Sequence, residues 1–451
     1  MYPTLKQLNW PQIEAEILAF WEQESVFQQS VDQRDGAPSF TFFEGPPSAN
    51  GMPGIHHVMA RAIKDIFCRY KTQQGFRVAR KGGWDTHGLP IELQVEKRLG
   101  IKKEDIGTKI SMEDYNKECR ADVLMFKDRW DDLTKQIGYW VDLDNPYITY
   151  ENNYIESLWH LLKQLHEKGF LYKGYTIQPF SPAAGTGLSS HELNQPGTYQ
   201  NVKDTTIVAQ FQVQGTEDEY FLAWTTTPWT LPSNTALAVG KDIDYDQIET
   251  FNPYTGAKIK VTLASALVGK YFSAEGAEAP LENYTPQQKI LPWRKLHTQK
   301  GSALEGTRYN QLLPYAQPEE GDAFRVVIGD FVSTEDGTGI VHIAPSFGAD
   351  DFKTARENGI GALTLVDKKG KFLDCVTDFP GEYVKEAYLT EEEKAAEAQK
   401  QGRDKYLGVD ERIAIKLKQE NKAFKVEKYE HTYPHCWRTD KPRAGSCAPP
   451  R

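Results

Sequence analysis

Four short stretches of the chain concentrate residue types that do chemistry. Residues 45–57, GPPSANGMPGIHH, set two adjacent imidazoles, His56 and His57, behind a run of glycines and prolines. Residues 82–92, GGWDTHGLPIE, place the Asp85 carboxylate two positions before a third imidazole, His87. Residues 224–234, WTTTPWTLPSN, give three consecutive hydroxyls, Thr225, Thr226 and Thr227, followed by Trp229 and Asn234. Residues 337–352, GTGIVHIAPSFGADDF, add His342, Asp350 and Asp351. Glycines let a backbone come close to a ligand, and unpaired N–H groups at a helix start favour an anion such as phosphate, to which His56 and His57 can donate. Taken singly, each stretch also has a plainer account. A Gly/Pro-rich crossover with two capping histidines resembles the first, dense threonines are good strand formers, and a loop-capping acid after a strand explains the last.

The elements around these stretches are readable from period and punctuation. SFTFF (39–43) and FRVAR (76–80) have strand-like runs, and between them Ile55, Val58, Met59, Ile63, Ile66, Phe67 and Tyr70 recur at helical spacing. Gly75, just past the last periodic residue, stops that helix. Strand, helix, strand is a βαβ unit and implies a parallel sheet, so residues 45–57 bridge the first strand and the helix, while Asp85 and His87 follow the second strand at its carboxyl end. In open α/β sheets ligands bind at that end. Further helices are predicted over 112–136 and 151–168.

From about 199 to 388 the texture changes to short alternating runs, TTIVAQFQV, EYFLAWTTT, FRVVIGDFV and TGIVHIAP, punctuated by Gly, Pro and Asp. That pattern predicts a β-rich inserted domain. From 389 the chain turns helical again and then extended.

Composition bounds the remaining possibilities. The 451 residues are 39% hydrophobic and 26% charged, the profile of an ordinary globular protein with chain enough for two to four domains. A net charge of −10 means that any nucleic-acid partner must be met by a local basic surface. No apolar run approaches the ~18 residues of a membrane span, and the amphipathic, acidic opening has no signal-peptide pattern. Five scattered cysteines, never in a C-x-x-C pair, fit a reducing compartment and the cytoplasm.

Together the first two stretches resemble the class I aminoacyl-tRNA synthetases, and within them the isoleucyl type, over about residues 1–442. That family has G-P-P-x-A-N-G followed by a HIGH signature, then G-W-D-x-H-G-L-P-x-E. The resemblance implies an α/β fold: a Rossmann-type nucleotide-binding half-fold over 1–198, interrupted by a β-rich editing domain over 199–388, with 389–442 returning toward the catalytic domain. It implies ATP with Mg2+, isoleucine and tRNA(Ile) as substrates, activated to isoleucyl-adenylate and then transferred. Gly45 and Pro46 match positions lining the amino-acid pocket, and Asp85 matches the acid that pairs with the substrate's α-ammonium. The HIGH signature falls on Gly54, Ile55, His56 and His57 as the ATP-binding set. Gly54 stands where the family has its first His and His56 where it has glycine, while His57 keeps its place. A swapped His56 would restore the lost donor, because this chemistry relies on positioning and charge stabilisation.

The resemblance also assigns the insertion. Thr225, Thr226, Thr227, Trp229 and Asn234 match one half of the family's editing pocket, holding the terminal adenosine and ester of the tRNA. Asp351 matches the carboxylate that holds the wrong amino acid's ammonium, with His342 alongside. Many relatives bind a structural zinc through two C-x-x-C pairs. Here the matching positions are Ser181, Ala184, Cys436 and Thr439, with His431 and His435 near, so no zinc is expected of a set holding one thiolate. After residue 442 the sequence reads RAGSCAPPR, with neither periodicity nor strand pattern and no lysine-rich KMSKS signature. It is expected to be the tail of a truncated amino-terminal part, unable by itself to complete the adenylate site. Two other readings stay open: a stand-alone aminoacyl-tRNA deacylase, and a nucleotide-binding sensor module.

Overall fold

The computed structural model describes residues 8–448 except 175, 283 and 287. The chain forms two compact units, one ending at Tyr172 and one beginning at Lys173. Residues 449–451 of the expected tail lie outside the described residues.

The first unit runs α1 (Trp10–Gln23), α2 (Val26–Asp32), α3 (Ile55–Gln73), β1 (Lys81–Trp84), α4 (Leu89–Leu99), α5 (Met112–Val123), α6 (Lys127–Gln136), β2 (Asp142–Ile148) and α7 (Asn152–Glu167). β1 and β2 pair in parallel, with Gly83 opposite Tyr147 and Trp84 opposite Ile148. The strand predicted over 39–43 is reduced to one parallel bridge, Ser39 to Arg77, flanked by the bonds Arg77 N–H to Pro38 O and Phe40 N–H to Arg77 O. The partner run 76–80 turns regular only from Lys81. One bridge forms and the chain then enters Pro46 and Pro47, whose missing N–H groups cannot extend a ladder.

The helix predicted from Ile55 onward is α3, and Gly75 after it has the left-handed φ of +93° expected of a stop. Its apolar stripe, however, is exposed within this unit: Ile55, Met59, Ile63, Ile66, Phe67 and Tyr70 face outward. The buried positions are Arg61, Cys68 and Thr72. Arg61 is buried because its guanidinium lies 4.7 Å from the Trp130 ring centre, a cation–π contact that offsets part of its desolvation. The helix predicted over 112–136 is broken at 124–126 into α5 and α6.

The second unit holds β3 (Thr176–Ser181), β4 (Thr186–Gly187), β5 (Tyr199–Gln212), β6 (Glu219–Thr225), β7 (Ala236–Val239), β8 (Asp244–Phe251), β9 (Lys258–Ala264), β10 (Arg294–Lys300), β11 (Arg325–Ile328) and β12 (Ile340–Ile343). These are followed by α8 (Ala349–Glu357), α9 (Glu391–Lys400), α10 (Val409–Gln419), β13 (Ala423–Pro434) and β14 (Ala444–Ala448). One sheet of six strands has the order β10-β8-β9-β6-β5-β13, and a smaller one has the order β11-β7-β12. Between them lie Ile207, Phe211, Phe221, Leu237 and Val239, joined by Ile413 and Leu417 of α10.

The segment after residue 388 is integral to this unit. β13 pairs antiparallel with β5 from Ala423 opposite Ala209 to Pro434 opposite Tyr199. Part of the expected patternless tail is also a strand, β14, antiparallel to β3 with Ala444 opposite Phe180. Its run of small residues has no hydrophobic alternation for a sequence reading to detect, and β3 supplies the hydrogen-bond partners instead.

Candidate active sites

In the first unit the parallel pair brings two strand ends together. Asp85 follows β1, and its N–H donates to Pro47 O at 3.0 Å, which ties the end of the strand to the 45–57 loop. Thr149, just after β2, receives the Thr86 N–H at 2.9 Å, and its hydroxyl lies 2.8 Å from that of Thr86 and 3.0 Å from His87 Nδ1. A buried threonine just beyond the neighbouring strand therefore fixes the Asp-Thr-His turn, leaving Asp85 exposed. Sequence reading passed over Thr149, since its partners lie 62 and 63 residues away.

The loop itself is held at successive points. The Phe126 N–H donates to Ala49 O, Asn50 Nδ2 donates to Gln94 Oε1 while Gln94 Nε2 donates to the Asn50 backbone carbonyl, and Trp130 Nε1 donates to Gly51 O at 2.8 Å. Trp130 also meets the His57 ring edge-on at 4.6 Å between centres. Gly54 caps α3 in an extended conformation, and its N–H donates to His57 Nδ1 at 2.9 Å. Nδ1 is therefore an acceptor and Nε2 carries the ring proton, available to donate away from the cap. Burial first, then the neighbouring His56 and Arg61, lower the His57 pKa from its ordinary value, which keeps the ring neutral at pH 7. Ile55 and His56 are exposed, Gly45 is exposed, and Pro46 is half-buried.

In the second unit the hydroxyls form a chain. Thr225 ends β6, and its Oγ1 accepts from the Thr227 N–H at 3.1 Å. Thr227 Oγ1 lies 3.4 Å from Thr230 Oγ1, and Thr230 Oγ1 lies 3.0 Å from His342 Nε2 on β12. Thr230 is the member sequence reading missed, although it stands in the same WTTTPWT run. His342 is buried, with 9% of its surface exposed, its Nδ1 has no hydrogen-bond partner, and burial lowers its pKa to about 4. It is a neutral imidazole at pH 7.

Asp351 lies in the first turn of α8 and folds back, its Oδ2 accepting the Ala344 N–H at 2.9 Å just beyond β12. Burial raises its pKa to about 6, against that backbone bond. Gly348 permits this fold-back, because a Cβ there would sit 2.8 Å from the Asp351 carboxyl carbon.

Two expected members belong to the interior rather than to this cluster. Asn234 is 1% exposed, accepts from Tyr309 Oη at 2.7 Å and donates to Ala236 O and Ile343 O. Its hydrogen-bonding capacity is used in joining strands. Trp229 is buried with its ring edge-on to Phe347. Thr226 and Thr227 are half-buried.

The positions matched to the zinc pairs form two self-closed turns. Ser181 Oγ accepts from the Ala184 N–H, and Cys436 O accepts from the N–H groups of Thr439 and Asp440. His435 Nδ1 bonds Tyr433 O, and His431 Nε2 lies 3.5 Å from Asp204. Among the described residues no three His, Cys, Asp or Glu side chains are grouped to hold a metal ion, and no helix is long and apolar enough to cross a membrane.

A parallel pair in which β1 carries the G-W-D stretch, with the G-P-P loop tied to its carboxyl end and a β-rich unit following in the chain, matches a defined class. The chain belongs to the class I tRNA synthetase family (I, L, M and V), whose model covers residues 16–335. Within that class its relatives include the isoleucine–tRNA ligase of Cytophaga hutchinsonii, 63% identical over 97% of this chain and 40% of that one. The isoleucine–tRNA ligase of Bacteroides thetaiotaomicron is 54% identical over 97% of this chain and 41% of its own length. The chain thus spans about two fifths of the length of the curated relatives it matches. A solved structure described as GlLeuRS-CP1 is 13% identical, covering 50% of this chain and 100% of its own, with a TM-score of 0.32.

Proposed function

We propose that the chain supplies the amino-terminal part of an isoleucine–tRNA ligase: a strand-end site for ATP and isoleucine, and a second site that hydrolyses mischarged valyl-tRNA(Ile). The observation that carries the first half is the meeting of Asp85 with the 45–57 loop at the carboxyl end of β1, through the bond to Pro47. Gly45 and Pro46 then wall the isoleucine side chain, Asp85 pairs with its ammonium, and His56 and His57 at the α3 N-terminus face the ATP phosphates. A helix start favours that anion. Gly54 and Ile55 set the backbone of the approach. Mg2+ arrives with the nucleotide, held chiefly by phosphate oxygens. The setting is the cytoplasm, where tRNA and ATP meet.

A second site has a physical reason. Loss of one methylene from an apolar ligand forfeits only ~1–3 kcal/mol, a magnitude known for synthetases of this kind rather than obtained from this chain, so binding alone does not exclude valine. The hydroxyl chain Thr225–Thr227–Thr230 ending on His342, with Asp351 tied to the same strand end, supports a pocket for an ester and an ammonium. Thr226 lines the same strand end.

Calorimetry with a non-hydrolysable isoleucyl-adenylate tests the first half. Binding that weakens in Asp85→Ala supports the reading, and equal affinity in the two proteins rejects it. Deacylation of valyl-tRNA(Ile) by the 451-residue chain, against Asp351→Ala, tests the second. Equal rates would reject that half.

A further inference from the structure

A buried ion cluster in the second unit reaches the backbone of the turn that carries Thr230. Lys385 Nζ donates to Asp204 Oδ2 at 2.8 Å and to Asp410 Oδ2 at 3.3 Å. The three side chains are 9%, 24% and 14% exposed respectively. The Lys385 ammonium also lies 4.8 Å from the Tyr433 ring centre. Burial alone would lower its pKa, but Asp410, Tyr433 and Asp204 together raise it, so the ammonium stays charged. The other carboxylate oxygen of Asp410, Oδ1, accepts the Trp229 N–H at 2.8 Å.

That last bond is where the cluster meets the candidate deacylation site. Trp229 lies in the short 3-10 turn Pro228–Ser233, all of whose residues are buried. Pro228 has no N–H, so the Trp229 N–H is the first donor of the turn and has no partner within it. The next residue, Thr230, carries the hydroxyl that reaches His342. Asp410 comes from the first turn of α10, 181 residues further along the chain.

We propose that Asp410, held in place by Lys385, is the positioning residue of the deacylation site: its carboxylate clamps the 228–233 turn so that Thr230 faces His342. This rests on the deacylase reading only for its catalytic consequence, since the clamp itself is a statement about the turn. Lys385 orients the carboxylate by occupying Oδ2, which leaves Oδ1 for the backbone. Asp204 keeps the ammonium paired, so a neutral residue at 410 does not strand a buried cation. The ligand held at this turn is the aminoacyl ester end of a tRNA, and neither Asp410 nor Lys385 touches it.

The test uses the 451-residue chain labelled with [15N]histidine, with His342 assigned by its loss in His342→Gln. Asp410→Ala should shift the His342 Nε2 resonance, because Thr230 leaves it. Asp410→Asn, which keeps a carbonyl oxygen to accept the Trp229 N–H, should leave it near its original position. On valyl-tRNA(Ile), Asp410→Ala should lower kcat about tenfold or more, the usual effect of losing a hydrogen bond to a charged group. KM should stay nearly constant, and Asp410→Asn should recover most of the rate. An unmoved His342 resonance in Asp410→Ala overturns the inference whether or not the chain deacylates. Equal perturbation by Ala and Asn also overturns it, since the acceptor oxygen would then not matter. A shifted resonance in a chain with no deacylase activity supports the clamp and rejects the deacylase reading instead.

Discussion

The imidazole of His56 lies against the face of Gly54 where a side chain would project: a Cβ built on Gly54 would stand 2.8 Å from His56 Cε1 and 3.0 Å from Nδ1. Glycine at 54 and histidine at 56 are therefore a matched pair. The ring from the first turn of α3 covers the place that a histidine at 54 would use. Relocation of a phosphate donor by two residues is thus spatially reasonable on this backbone.

ATP binding should accordingly depend on His56. Calorimetric titration of the 451-residue chain with ATP should show an affinity about tenfold lower in His56→Ala, the scale of one charge-assisted hydrogen bond. Gly54→Ala should disturb folding little, because Gly54 has an extended backbone and the obstructing atoms are the tip of a flexible side chain. Its effect on the unfolding free energy should be within about 0.5 kcal/mol. A His56→Ala protein that binds ATP as tightly as the parent would remove His56 from the site.

His57 makes a separate prediction about acid. Its pKa is lowered in the folded chain, so the folded state takes up its proton less readily than the unfolded one. Its contribution to stability is therefore fully present above the unfolded value of about 6.5 and is lost as pH falls through the folded one. Protonation of Nδ1 would also abolish its role as acceptor for the Gly54 N–H. An NMR titration should show His57 less than half protonated at pH 6.5, with the proton of the neutral ring on Nε2. Hydrogen exchange at the Gly54 amide should accelerate as the ring titrates. A ring half-protonated at 6.5 or above would contradict this.

The chemistry-bearing stretches were legible because each is local in sequence. The 45–57 loop, the Asp85 turn, the threonine run and the 337–352 stretch all fall at element ends where the punctuation placed them. What escaped was everything supplied from a distance. Thr149 fixes the Asp85 turn from just beyond the neighbouring strand, and Asp410 reaches Trp229 from α10. A hydrogen bond between residues 181 apart leaves no periodic trace. The β14 pairing escaped for the same reason, because its partner and not its composition makes it a strand. The α3 stripe shows the converse. Its period correctly predicted a helix, yet periodicity is silent on which neighbour covers a face, and in this unit its apolar face is open.

Asn234 should behave as a structural residue. It accepts from Tyr309 in the interior and donates to Ala236 O and Ile343 O, so Asn234→Ala strands a buried phenol hydroxyl and takes a donor from each carbonyl, of which Ile343 O keeps the Thr235 N–H. The expected cost is about 1–3 kcal/mol for each group left unsatisfied. Urea unfolding monitored by circular dichroism should show a lower midpoint with an unchanged slope. Tyr309→Phe combined with Asn234→Ala should recover part of the loss, since it removes the stranded hydroxyl. Wild-type stability in Asn234→Ala would mean that the amide is not part of the strand junction.

Deacylation should have an acid limb set by Asp351. The substrate's ammonium requires a carboxylate, and burial raises this one to about 6. Between the unfolded value near 3.8 and that folded one, the native chain binds the extra proton, so this group opposes folding as pH rises through the window. The ionised form needed for function is thus reached only above about pH 6. Activity on valyl-tRNA(Ile), corrected for spontaneous hydrolysis, should rise about tenfold per unit below that value and level off above pH 7. His342 titrates near 4, so it remains neutral across the measured range and adds no limb of its own. Asp351→Asn should lower the plateau by about tenfold or more, because it removes the paired charge while keeping the shape. It should also erase the limb: Asp410, which burial likewise raises to about 6, keeps a carbonyl acceptor for the Trp229 N–H when protonated and adds no limb of its own. An acid limb that survives in Asp351→Asn would assign the ionisation elsewhere and leave the ammonium without its carboxylate.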